Sequence, residues 1–402
     1  MRVLCTSTGS PSHGRAMLPL ARALAGAGHA VTVAASPEMA PVFRADAVTL
    51  EPRLASMPMP GPLDADAGPG AEPENATSGD GHIQMMLARL TGDHARAMYG
   101  VLAELAAGVR PDVIIRDGMD MAGIMLAERL GIPHLPIPSG LVNMVDPAQL
   151  LPDLNRLRRD LGLPEQEDAA SFLPYGRFDY LPEEYAFARF PAPVRAYRQT
   201  TLVDRTDGLP GWVAELPADR PLVFAAIGTA LPMILAMMER GVGLPPGMTH
   251  PEEMLRATVE GLSRLHCSAI VATGGVPLDG VEPAPHVRLV DRLAQPLLLE
   301  CADLLVTHGG YNSVREAVRT GTPMAVLPNF GDQPHNAARV AELGLGRHVT
   351  ETTPDAVAAA CQDLLEDRDV AARVRRAHRA ALALPEVGQV AADLEKLVRQ
   401  TR

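Results

Sequence analysis

Short apolar runs recur along the chain, and between them apolar residues return at helical rather than alternating spacing. In the first half the runs at 3–6, 31–35, 112–118 and 134–137 read as strands, and in the second half those at 222–227, 269–272, 287–290, 304–306 and 324–327. They are continuously apolar, the pattern of strands buried on both faces of a parallel sheet. Helices fit between them at 18–24, 122–130 and 251–265. Further stripes comprise Ile83, Met86, Leu87, Leu90, Met98, Val101, Leu102 and Leu105, and then Val314, Ala317 and Val318. Val390, Ala391, Leu394 and Val398 mark a last helix. Strand and helix in alternation predict an α/β architecture.

Length divides this pattern. A chain of 402 residues exceeds one ordinary core and suits two domains of about 200 residues each. The Gly-, Pro- and acid-rich segment 206–220 is the expected linker between a first domain, 1–205, and a second, 221–385, with the last helix in 386–402. Residues 52–81 hold too much proline, glycine and acid for a packed element and read as a mobile loop. Residues 140–200, with Phe172, Tyr175, Phe178 and Tyr180, fit core and ligand surface equally well.

The net charge is −12 with both signs interspersed, which argues against a nucleic-acid or anionic-membrane partner. An anionic ligand must then be held by local dipoles and donors. Cys5, Cys267, Cys301 and Cys361 lie far apart, without disulfide or zinc spacing, so no metal is expected and a reducing cytoplasm is the simplest setting. No run reaches the length of a membrane span, and the first residues enter a strand without a secretion signal.

Candidate chemistry concentrates in 303–336, DLLVTHGGYNSVREAVRTGTPMAVLPNFGDQPHN. A strand breaks at His308-Gly309-Gly310, and a helix follows, with Asn312 or Ser313 as its cap and Gly321 as its stop. Backbone N–H groups and the helix dipole converge at such a turn on an anion, and a diphosphate fits it. The His308 imidazole and the Asn312 and Ser313 side chains add donors, while the acid-amide pair Asp332-Gln333 suits vicinal hydroxyls. In the first half, His13 stands in a glycine- and serine-rich turn, 9–14, and Asp117 stands at a strand's carboxyl end with Asp120 as its rival. Open α/β sheets bind ligands at such ends.

HGGYNS followed by FGDQPHNA resembles the donor site of family-1 nucleotide-sugar glycosyltransferases of the GT-B fold. The resemblance implies two facing Rossmann-like parallel-sheet domains with a cleft between them, acceptor on the first and donor on the second. It gives the donor diphosphate to His308, Gly309, Gly310, Asn312 and Ser313, and the sugar to Asp332 and Gln333. Gly228-Thr229 is similar to the family's Gly-Ser/Thr at the donor mouth, which adds Thr229 to the phosphate set. Residues 9–21 resemble the opening of antibiotic-tailoring members, where the histidine matching His13 is the general base and the acid matching Asp117 orients it.

One departure affects the base. The family's Trp-x-Pro-Gln is replaced by Arg292-Leu293-Ala294-Gln295, so Arg292 stacks on the nucleobase or the Leu293 backbone reads it. The last helix, by the same likeness, crosses back to the first domain, and 52–81 forms a lid over the acceptor or an inert insertion. The implied reaction is inverting and metal-independent, without a cofactor beyond a dTDP- or UDP-linked sugar as co-substrate, and its acceptor is a small hydrophobic natural product. A homodimer stays open. An epimerase or hydrolase sharing the donor site, or a non-catalytic auxiliary homologue, is the alternative.

Overall fold

The computed structural model describes residues 1–56, 87–199, 208–228 and 248–402, with 234, 238 and 244 between the last two segments. Thr229, residues 57–81 of the expected loop, Ile83 and Met86 lie outside the described residues. The chain forms two compact units, one of Met1–Thr200 with Leu384–Arg402 and one of Thr201–Ala383.

The first unit is built on a parallel sheet of β1 (Arg2–Ser7), β2 (Ala30–Ala35), β3 (Thr49–Glu51), β4 (Val113–Arg116) and β5 (His134–Pro136), in the order β3-β2-β1-β4-β5. Val3 sits between Val31 and Val113, and all three are buried, as continuous apolar strands require. Helices α1 (Pro11–Gly26), α2 (Asp93–Val109), α3 (Ala122–Leu130) and α4 (Pro147–Asp160) belong to this unit. The turn expected over 9–14 is shorter than its sequence suggests: Pro11 occupies the first helical turn, where its fixed φ and missing N–H are no handicap, so His13 lies inside α1.

Leu150, Leu154, Leu157 and Phe172 pack in one apolar cluster with Ile124 and Met125, so these positions of 140–200 are core rather than ligand surface. Two short parallel strands, β6 (Arg177–Asp179) and β7 (Val194–Ala196), follow. The Tyr180 hydroxyl donates to the Ala16 carbonyl of α1 at 2.8 Å. The last helix, Val390–Thr401, is part of this unit, and the Tyr197 hydroxyl donates to Asp393 at 2.7 Å.

The second unit has a parallel sheet of β8 (Leu222–Ala226), β9 (Ser268–Ala272), β10 (Val287–Val290), β11 (Leu304–Thr307), β12 (Met324–Val326) and β13 (Gly346–His348), in the order β10-β9-β8-β11-β12-β13. Its helices include α5 (Pro251–Leu262), α6 (Tyr311–Thr320), α7 (Gln333–Glu342), α8 (Pro354–Glu366) and α9 (Arg368–Leu382). The segment expected as a linker is in part structured here: Gly211–Val213 forms a 3-10 turn, and the Arg288 guanidinium lies 4.0 Å from the Trp212 ring centroid. A cation over an indole face anchors that turn.

Strand order reverses between β1 and β4 in the first sheet and between β8 and β11 in the second. Ligands of open α/β sheets bind outside the carboxyl ends of strands at such reversals. Within their respective units, His13 and Asp117 follow β1 and β4, and Gly228 and His308 follow β8 and β11.

Candidate active site

In the first unit the two strand ends bring His13 and Asp117 into contact. The His13 Nδ1 lies 2.9 and 3.0 Å from the two Asp117 oxygens, with the carboxylate side chain fully buried and the imidazole 21% exposed. Asp117 also accepts from the backbone N–H groups of Met119, at 3.0 Å, and Thr8, at 3.3 Å. An ionised carboxylate with several donors is well stabilised, and it fixes the ring: the Nδ1 proton faces Asp117, so the imidazole lone pair is on Nε2. Gly9, at φ +87°, passes so close that a Cβ there would stand 3.3 Å from His13 Nδ1.

Asp120 has other partners. Its carboxylate accepts from the Thr6 hydroxyl at 2.5 Å and from the Gly123 N–H at 2.9 Å, and burial raises its pKa. Beneath both acids lies Arg116, wholly buried, donating to the carbonyls of Asp117 (3.3 Å) and Phe172 (3.0 Å). Burial lowers its pKa to about 10 while Asp120 and Asp117 oppose the shift, so it stays cationic and balances the acids.

In the second unit, α6 begins at Gly310 with no side-chain cap, so its first-turn N–H groups have no carbonyl behind them within the helix. Asn312 and Ser313 are therefore not caps but first-turn residues. The Arg315 guanidinium donates to Asn312 Oδ1, and Gln295 Nε2 donates to the Ser313 hydroxyl at 3.1 Å and to Glu316 at 2.7 Å. Gln295 thus joins the segment after β10 to α6.

His308 is held between two glycines. A Cβ on Gly228 would come 2.7 Å from its Nε2, and one on Gly310 2.5 Å, so either side chain would displace the ring. Burial lowers the pKa of His308 to about 4, against a hydrogen bond to the Ala226 carbonyl that raises it. The neutral ring therefore directs its single proton at Ala226, and a second N–H, for a phosphate, requires protonation.

In the second loop, Asp332 precedes α7 and its carboxylate accepts from Asn336 Nδ2 at 2.7 Å. Gln333 is 3% exposed, and its Oε1 accepts from the N–H groups of Asn329, at 2.8 Å, and Phe330, at 3.1 Å. That carbonyl shapes the loop. Thr273, Val276, Leu278, Leu289, Val290 and Asp291 line a pocket of about 410 Å³ beyond β9 and β10, immediately before exposed Arg292 and half-buried Leu293.

Residues 257–397 match the family described as erythromycin biosynthesis protein CIII-like, C-terminal domain. The chain is 26% identical to a 10-deoxymethynolide desosaminyltransferase of Streptomyces venezuelae, with 100% of this chain and 98% of the relative covered. It is 28% identical to an L-demethylnoviosyl transferase of Streptomyces niveus, covering 91% and 90%. Its fold matches the crystal structure of the glycosyltransferase VinC in complex with dTDP, with a TM-score of 0.71 at 23% identity and 100% of both chains covered. The chain is a GT-B glycosyltransferase.

The glycosyltransferase thus brings its sequence-predicted residues together as two clusters, one per unit: His13 with Asp117, and His308, Gly309, Gly310, Asn312 and Ser313 beside Asp332 and Gln333. Arg292 and Leu293 follow Asp291 of the pocket lining in sequence. Gly228 is reached in the sequence through its likeness to the family's Gly-Ser/Thr, whereas Asn336 is not singled out there, because it resembles any other polar residue of an amphipathic helix. Among the described residues, no helix is long and apolar enough to cross a membrane, and no group of three or more His, Cys, Asp or Glu side chains is placed to hold a metal ion.

The low pKa of His308 has a consequence for stability. Its folded value, about 4, lies below the unfolded value near 6.5, so between these the unfolded chain binds more protons and stability falls as pH falls. His308→Gln should flatten the loss of Tm across that window. A thermal-melt series at stepped pH checks it, and an unchanged slope would contradict the assignment.

Proposed function

We propose that the glycosyltransferase moves a sugar from a dTDP- or UDP-linked donor to a hydroxyl of a small hydrophobic natural product, with inversion and without a metal. The observation that carries this reading is the His13–Asp117 pair at 2.9 and 3.0 Å, an imidazole oriented with Nε2 as its proton acceptor. Nε2 takes the acceptor proton as the acceptor oxygen forms its bond to the anomeric carbon. The bond from that carbon to the diphosphate oxygen breaks on the opposite side. Asp117 stabilises the imidazolium that forms.

The leaving diphosphate gathers charge, and the α6 N-terminus with His308, Asn312 and Ser313 is the group of donors proposed to receive it. Thr229 is assigned to the same phosphates from its place in the sequence. Asp332 and Gln333 take the sugar hydroxyls, and Arg292 or the Leu293 backbone takes the base beside the 410 Å³ pocket. The names of the relatives, a desosaminyltransferase of 10-deoxymethynolide and a deoxyfucose transferase of aclacinomycin T, support a natural-product acceptor. The dTDP bound by VinC supports a thymidine-linked donor. The enzyme is placed in the cytoplasm on the same reading.

Thermal melts with dTDP, UDP, GDP and ADP test the donor assignment. A ligand of the folded state at a hundred times its Kd stabilises by about 2.7 kcal/mol, so dTDP or UDP should raise Tm by several degrees where the others do not. Equal silence from all four would overturn it.

A further inference from the structure

We infer that Asn336 is a positioning residue that couples the two donor loops: it aims the Gly310 N–H at the diphosphate and holds the Asp332 carboxylate for the sugar. This rests on the donor reading above. Asn336 is fully buried at the start of α7, and its Nδ2 donates both to the Gly309 carbonyl, at 2.8 Å, and to Asp332 Oδ2, at 2.7 Å. Both partners are acceptors, so the nitrogen rather than the oxygen of the amide must face them. One side-chain amine therefore ties the loop after β11 to the loop before α7.

The tie sets a direction. In a planar trans peptide the carbonyl and the following N–H point opposite ways, and the described residues contain no cis peptide. Anchoring the Gly309 carbonyl toward α7 therefore turns the Gly310 N–H away from it, at the very start of α6. Gly309 itself leaves little slack: it sits at φ +85°, and a Cβ there would lie 2.6 Å from Val326. Packing alone would favour an apolar residue at 336, because its buried Oδ1 has no partner among the described residues and an unmet acceptor costs stability. The Nδ2 donor is what the position supplies.

The test is calorimetric titration of wild type, Asn336→Ala, Asp332→Ala and the double variant with dTDP, UDP, dTDP-glucose and UDP-glucose. Asn336→Ala should bind the nucleoside diphosphate about tenfold more weakly, a loss of about 1.4 kcal/mol, and the intact donor more weakly still. In the Asp332→Ala background the extra loss on the donor should vanish while the loss on the diphosphate persists. General loosening of the site would act alike in both backgrounds. Unchanged diphosphate affinity, or the same extra donor loss with and without Asp332, would overturn the inference.

Should Asn336→Ala fail to fold, Asn336→Asp keeps the shape and replaces the donor by an acid beside Asp332. At pH 8 its diphosphate affinity should lie well below wild type. Near pH 5 protonation of the introduced acid, favoured by its neighbour Asp332, restores an O–H donor for the Gly309 carbonyl, so the gap should narrow. A gap independent of pH would contradict the role. Wild type that binds none of the four ligands overturns the donor reading and this inference together. Wild-type binding with indifferent Asn336 variants removes this inference alone.

Discussion

His13→Ala is expected to lower kcat by about a hundredfold or more, the usual cost of losing a general base, with donor affinity nearly unchanged. A sugar hydroxyl or alcohol is a weak nucleophile near neutrality, and only the ring on Asp117 is proposed to take its proton. The affinity should hold because the groups assigned to the donor all lie in the other unit of the fold. Asp117→Asn should be damaging but milder: the base remains, while its tautomer and its protonated form lose their support. The two act as one device, so the double variant should be little slower than His13→Ala. Steady-state rates with a hydroxyl acceptor decide this, and near wild-type turnover of His13→Ala would exclude the role.

The second large effect separates the two donor loops. His308→Ala should weaken nucleoside diphosphate and intact donor alike, by about 1.5–3 kcal/mol if a charge-assisted bond is lost. Asp332→Asn should weaken the donor and slow turnover while leaving the free diphosphate almost untouched. Gln333→Ala is a less clean probe, because Gln333 Oε1 accepts two loop N–H groups and its loss should lower Tm as well. His308 also predicts a pH signature. Its proton is turned to Ala226 and its pKa stands at about 4, so a diphosphate that engages the other nitrogen must draw in a proton. Affinity for dTDP or UDP should therefore rise as pH falls toward 6 by more in wild type than in His308→Ala. Titration of both proteins with both ligands reads this, and wild-type affinity in His308→Ala would remove the phosphate assignment.

Parallel strands are the most legible elements, because a strand covered on both faces carries a continuous apolar run, as Val113-Ile114-Ile115 of β4 and Leu304-Leu305-Val306 of β11 do. The helix Ala122–Leu130 was equally plain: Gly131 stops it at φ +62°, where glycine carries no steric cost. Helix α4 is not legible in the sequence, since Pro152 and its three arginines, Arg156, Arg158 and Arg159, mask its stripe. One of those arginines, Arg158, is buried against Glu128 at 2.7 Å, a pairing thirty residues apart that no local pattern shows. Asp117 is preferred to its rival Asp120 in the sequence through the family resemblance, because both follow the same strand. Only the packing shows that Thr6 and Gly123 engage Asp120 while His13 meets Asp117. Asn312 and Ser313 read as caps by residue type, yet Arg315, one turn on in the same helix, binds Asn312, and Gln295 binds Ser313 from a position that spacing does not link.

Acceptor-dependent release of the nucleoside diphosphate tests the central claim most directly. The enzyme would be incubated with dTDP- and UDP-sugars, with and without a panel of small hydroxylated acceptors. Nucleoside diphosphate and glycosylated product would be counted by mass spectrometry for wild type and His13→Ala. Expected is one product for each diphosphate released, only when an acceptor is present, and loss of both in His13→Ala. Release at the same rate without an acceptor, or transfer by His13→Ala at the wild-type rate, would contradict it.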